Sequence, residues 1–205
     1  IAPGGGKRDG ERVLDLLAAH PSTARFIATK LARRFVADEP PASLVTRAAA
    51  TFTKTGGDIR EVVRTILTSP EFFAPAAYRA KVKSPLEFVA SAVRASGADV
   101  RSGMPLVQAM RQLGMPVYMC QPPTGYSDRA EAWVNTGALI NRMNFAVSLS
   151  GDRRFGGAAR ATADDIAREV LAEDLSPATM ATVAKATNEP QRVALLLGSP
   201  DFQKR

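Results

Sequence analysis

An all-α fold of orthogonally packed helices, with one helical hairpin duplicated, is what the sequence predicts. Three observations carry that expectation. Apolar residues recur three and four positions apart through nearly the whole chain, the period of a helix with one buried face. Residues that cap helices stand at regular breaks in that pattern. The alternation of a half-buried strand is missing, and only Val117 to Cys120 reads as extended. The 205 residues are alanine-rich, with 45% hydrophobic, 23% charged and 6% aromatic side chains, a globular composition tilted toward helix. No run of about 18 uncharged apolar residues occurs, so no membrane span is expected.

Val13, Leu14, Leu16 and Leu17 mark a first helix that stops at His20-Pro21. Ala24, Ile27, Leu31 and Phe35 share a face of the second, which Glu39-Pro40-Pro41 breaks. Leu44, Val45, Ala48, Ala49 and Phe52 form a third stripe, closed by Gly56-Gly57. Asp58 caps a fourth helix, with Glu61 as its reciprocal partner. Ser69-Pro70-Glu71 starts a short helix: hydroxyl cap, proline where no N–H is needed, carboxylate at the positive end. Ser84-Pro85-Leu86-Glu87 repeats this, followed by Leu86, Val89, Ala90 and Val93, and Met104 to Leu113 gives a shorter helix. Residues 114–127 mix Gly, Pro and aromatics and read as an ordered loop. A long helix over 128–149 carries Trp133, Ile140, Asn144 and Val147 along one side, and a Gly/Arg linker spans 150–161. Thr162 with Asp165, then Ser176-Pro177, then Pro190 open the last three helices, about ten in all. The expected organisation is a main helical domain over 1–150 and a helical extension over 151–205 that packs on it.

One segment echoes another. Val63 to Phe72 ends in Ser-Pro-Glu-Phe, and Val193 to Phe202 ends in Ser-Pro-Asp-Phe, each after a small-and-apolar helix. Two copies point to a duplicated hairpin and are too few for a solenoid.

The net charge of +7, with 27 Lys and Arg against 20 Asp and Glu, is spread among acids rather than gathered into basic clusters with interleaved aromatics. The pattern is that of solvated helix faces; no nucleic-acid partner is expected, and an acidic protein partner fits the same charge. One Cys (Cys120) excludes an intrachain disulfide and a cysteine metal cluster, and one His (His20) excludes any metal site needing two His ligands; no phosphate loop or dinucleotide fingerprint occurs, so neither a metal nor a cofactor is expected.

The chemical candidates are few. His20 is the one candidate for a catalytic base, and at a helix boundary before Pro21 it equally fits a cap. Lys30 and Arg34, one turn apart, suit an anionic group together with Arg142, or salt bridges to neighbouring acids. Tyr118 and Tyr126 in the 114–127 loop, with Trp133 behind it, offer flat apolar faces with polar tips for sugar or peptide recognition; the competing role is a plug at one end of the bundle with Trp133 in the core. Asn135, Asn141, Arg142 and Asn144 interrupt the apolar long helix and are expected to bond the backbone before it.

His20 to Phe35, then Gly57-Asp58 with Ser69-Pro70-Glu71-Phe72, then Leu113-Gly114 through Pro122-Pro123-Thr124-Gly125-Tyr126 with Trp133, Asn135-Thr136-Gly137 and Arg142, resemble in order and spacing the bacterial family called domain of unknown function 1800. The resemblance covers residues 7–150 and the closing Ser-Pro-Asp-Phe; Met115 and Cys120 depart from the family's usual residues. It implies the C-terminal part of a longer chain with further helices upstream, in keeping with a start at Ile1 rather than Met. It also implies export to the periplasm or beyond, and a secreted partner with a phosphatase- or sulfatase-like fold (domain of unknown function 1501). It implies no established activity. The expected function is a non-catalytic ligand-binding or protein-interaction module. The alternative is a hydrolase or lyase acting on an anionic polymer with residues from the upstream part.

Overall fold

The structure, a computed structural model, describes residues 4–151, 155, 159–172 and 174–205. Among these, eleven α-helices occur and no strand beyond one antiparallel bridge, Val82 to Lys204. The contacts divide the chain into two compact units, Ile1–Lys81 and Val82–Arg205.

The first unit holds α1 (Lys7–Ala18), α2 (Pro21–Phe35), α3 (Ala42–Lys54) and α4 (Ile59–Leu67). Its core joins Ala24, Ala28 and Ala32 of α2 to Leu44, Val45, Ala48 and Phe52 of α3 and to Val62 and Ile66 of α4. The face of α2 differs from the expected one: Ile27 and Leu31 are half-buried, Phe35 is exposed, and the alanine stripe turns inward. Methyl side chains let two helix backbones approach closely, and that decides which stripe is buried. All four apolar residues of the expected α1 stripe are exposed, Leu14 most of all at 67%. Gly57, at φ 90°, donates its N–H to the Phe52 carbonyl (2.8 Å) and closes α3 in a conformation L side chains avoid. Asp58 then caps α4 by accepting from the Arg60 and Glu61 N–H groups. Glu61 pairs with Arg64 rather than returning to the cap. Lys81, buried, closes the unit on Asp38.

The second unit holds α5 (Pro85–Ser96), α6 (Met104–Gln112), α7 (Thr136–Gly151), α8 (Ala163–Asp165, running into a π turn over Ile166–Val170), α9 (Pro177–Val183), α10 (Glu189–Leu197) and α11 (Pro200–Gln203). The Ser84–Glu87 and Thr162–Asp165 capping boxes form as expected. The segment after 150, read as an extension, supplies α8 to α11, and α10 packs along α7; the expected linker over 150–161 lies partly outside the described residues. Phe88 stands at the centre, edge-on to Phe145 (5.8 Å) and Phe202 (6.2 Å). On α5 the inward face is Pro85, Phe88, Val89 and Ala92, while Leu86 and Ala90 of the expected stripe face out. The long helix starts at Thr136, later than expected, because Ala130–Ala132 forms a separate 3-10 turn. Its faces are also reversed: Ile140, Asn144 and Val147 are exposed, and Arg142, Phe145, Ala146 and Leu149 are buried.

Arg142 explains the reversal. Its side chain is 2% exposed, Nη1 donates to Gln203 Oε1 (2.6 Å), Nη2 donates to the Lys83 carbonyl (2.7 Å), and the guanidinium lies 5.1 Å from the Phe88 ring centre. Burial lowers its pKa to about 10, against which the Glu87 carboxylate works, so it remains a cation at neutral pH.

The echoed segments share a cap and a turn. Asp58 and Asn188 cap α4 and α10, each 11 residues before Ser69 or Ser199. Ser69 Oγ accepts from the Phe72 N–H and Ser199 Oγ from the Phe202 N–H, both at 3.2 Å. The acid between them clamps a helix N-terminus: Glu71 takes hydrogen bonds from Ser43 and Arg47 of α3, and Asp201 takes two from Ser176, the cap of α9. The outcomes differ in one respect. Pro200 opens the short helix α11, whereas Ser69 to Phe73 stays a turn, not the expected helix.

Arg47 chiefly, through its hydrogen bond, holds the Glu71 carboxyl at about 2 against an ordinary 4.5. A carboxyl depressed on folding stabilises the protein fully above its unfolded value, and that contribution fades as pH falls toward the folded one. Glu71→Gln is therefore less stable than the parent at neutral pH, and the gap closes between pH 4.5 and 2 in urea denaturation followed by circular dichroism. Arg142→Ala strands the Lys83 carbonyl and Gln203 and opens a cavity, lowering stability by about 3 kcal/mol or more; denaturation followed by Trp133 fluorescence in the same unit measures it.

Candidate functional site

The 114–127 loop is built to hold one shape. Gly114 at φ 87° turns the chain out of α6, and the Met115 N–H returns to the Met110 carbonyl (2.9 Å). The loop's two ends are joined where Tyr126 Oη donates to the Pro116 carbonyl (2.6 Å), and partial burial pushes that phenol's pKa up. A turn closes from the Gly125 N–H to the Pro122 carbonyl (3.1 Å). Trp133 lies in the core beneath, its Nε1 donating to the Ser127 carbonyl (2.9 Å) and its ring 6.1 Å from that of Tyr126. Of the expected aromatic trio, Tyr126 and Trp133 meet and serve the loop's architecture.

Tyr118 is different. Its side chain is completely exposed, at 101% of the reference area, and its backbone sits at φ 59°, a region a tyrosine occupies at a cost of about 1 kcal/mol. Val117 and Met119 beside it are exposed as well, so the pinned loop displays three apolar side chains in a row.

A cleft of about 530 Å³ opens between α6 and α7. Gln108 and Gln112 form one wall, and Asn141, Asn144 and Ser148 the other, over a floor that includes Leu113, Phe145 and Phe155. Asn141 Nδ2 donates to the Gln112 carbonyl (3.1 Å), satisfying the end of α6. This bond is the expected one from the long helix to the preceding backbone, and Asn135 instead caps its own helix through the Ala138 N–H (2.9 Å). The polar ends of Gln108, Gln112 and Asn144 face open space with no internal hydrogen bond among the described residues. Sequence reasoning singled out Asn141 and Asn144 but missed Gln108, Gln112 and Ser148. The glutamines' four-residue spacing was visible; the opposing wall was not.

His20 is exposed at the start of α2, where Nδ1 accepts from the Ser22 N–H (3.1 Å) and caps the helix. Lys30 and Arg34 are half-buried on α2, Lys30 Nζ 5.3 Å from the Phe26 ring centre. Arg142 points into the core of the second unit, onto Gln203 and the Lys83 carbonyl. Cys120 Sγ donates to the Pro122 carbonyl (3.7 Å).

Among the described residues no three His, Cys, Asp or Glu side chains gather into a group able to hold a metal ion, and no helix is long and apolar enough to cross a membrane. No curated protein and no solved structure matches the sequence. A family profile does, over residues 1–204: the family described as protein of unknown function, DUF1800. The match runs through both units, and this chain belongs to the DUF1800 family.

Proposed function

We propose that this chain is a non-catalytic protein-interaction module working outside the cytoplasm, with Tyr118 as its leading contact. One observation carries the reading: an aromatic side chain is held wholly in solvent, on strained backbone, in a loop that Tyr126 and Trp133 pin in place. Burying such a residue at an interface recovers the hydrophobic and hydrogen-bonding potential of a tyrosine at little entropic cost, because the loop is already ordered. The groups a hydrolase or lyase would use on an anionic polymer have other work: His20 accepts a helix N–H and Arg142 bonds within the core. The partner proposed is the secreted phosphatase- or sulfatase-like protein of domain of unknown function 1501 that the family resemblance implies.

Two substitutions at one position test the reading. Tyr118→Ala leaves thermal stability unchanged and weakens capture of that partner by about tenfold or more, the size of an interfacial tyrosine's loss. Tyr118→Gly raises stability by up to about 1 kcal/mol by relieving the left-handed backbone, and still loses capture. Absence of association at micromolar concentration, or full capture by both variants, overturns the proposal.

A further inference from the structure

We infer that the α6–α7 cleft binds an extended, uncharged stretch of polypeptide by its main chain. The inference deepens the interaction reading by assigning a second site, whose lining does not include Tyr118, and its ligand chemistry. The walls present side-chain amides from Gln108, Gln112 and Asn144 and the Ser148 hydroxyl, and none of the described residues lining the cleft is charged. An amide group offers N–H donors beside a C=O acceptor, the same pair that a peptide unit offers in return.

The spacing fits as well. Gln108 and Gln112 are four residues apart on α6, and Asn144 and Ser148 four apart on α7, about 6 Å along each helix axis. An extended chain presents equivalent peptide groups every second residue, about 6.6–6.8 Å apart. Amides one turn apart therefore meet alternate peptide groups, while the alternate side chains of the ligand face an apolar floor containing Ala109 and Leu113. The volume of about 530 Å³ lies within the ordinary range of ligand sites.

Other ligand classes fit less well. An anion would meet no cation among the described residues that line the cleft. A saccharide ring stacks on an open aromatic face, and the two phenylalanines in the floor are each 6% exposed and packed edge-to-face on each other at 5.5 Å.

The test is a titration of the isotopically labelled chain, without any partner protein, with blocked nonapeptides of Ser, Thr, Gly and Val. The side-chain NH₂ resonances are the readout. Peptide at millimolar concentration is expected to shift the Gln108, Gln112 and Asn144 signals. The same peptide N-methylated at alternate residues is expected to leave them unmoved. Gln112→Ala with Asn144→Ala, both at exposed positions and checked by an unchanged melting temperature, is expected to weaken binding by about tenfold. No shift with any peptide, equal binding of the N-methylated peptide or by the double variant, or shifts with cellohexaose in place of peptide would each overturn the assignment. Because no partner protein is present, failure here is distinguishable from failure of the Tyr118 reading, which is scored by capture alone.

Discussion

A buried arginine sets the arrangement of the second unit. Bringing a guanidinium out of water is costly unless its N–H groups are met, and here one end is met by Gln203 near the C-terminus and the other by the carbonyl of Lys83, just before α5. The same cation faces the Phe88 ring, which also meets Phe145 and Phe202 edge-on. Lys83 lies over the other member of this group, its Nζ 3.7 Å from the Phe202 ring centre. Chain start, long helix and chain end of the unit are thus joined through two cations and three aromatic rings. Nε of Arg142 has no partner among the described residues, so the cation is held without full satisfaction.

Fixing Arg142 inward determines what the opposite side of α7 shows. With Arg142, Phe145 and Leu149 committed to the core, Asn141, Asn144 and Ser148 fall on the side facing α6, and Ile140 and Val147 face solvent. The cleft is therefore a consequence of the core rather than an addition to it. The loop that follows α6 is governed by the same economy: its two largest partly or fully buried aromatics spend their polar atoms on backbone carbonyls, leaving Tyr118 as the one aromatic free of the scaffold. A rigid display of this kind suits recognition, since little order remains to be imposed on binding.

The repeated Ser-Pro-acid-Phe segment shows how one local pattern reaches two structures. The serine turn and the acidic clamp form in both copies, because each depends on atoms two or three residues away and on the start of one neighbouring helix. Helix or turn after the proline is settled by the phenylalanine's surroundings. Phe202 is fully buried between Lys83 and Phe88, whereas Phe72 is half-buried and packs edge-on against Phe73 at 5.2 Å. Burial fixes α11; the first copy lacks that anchor and stays a turn.

Helix class, the break points and most caps were legible in the residues, because capping and periodicity act within a few positions of one another: Ser84 with Glu87, Thr162 with Asp165 and Gly57 after α3 are local devices. The loop's start after α6 was legible for the same reason, but its end was not, since the long helix begins only at Thr136. Which face each helix buries was not. On α2 the choice between the Ala24 and Ile27 stripes rests on how closely α3 approaches; on α7 the choice rests on a guanidinium finding Gln203 and Lys83, about 60 residues away in either direction. The amide cleft needs two helices side by side, and Tyr118 differs from Tyr126 only through what surrounds it. Sequence alone determined the elements, since their causes are short-range; tertiary structure decided orientation, burial and site, since those depend on partners that the chain brings together only on folding.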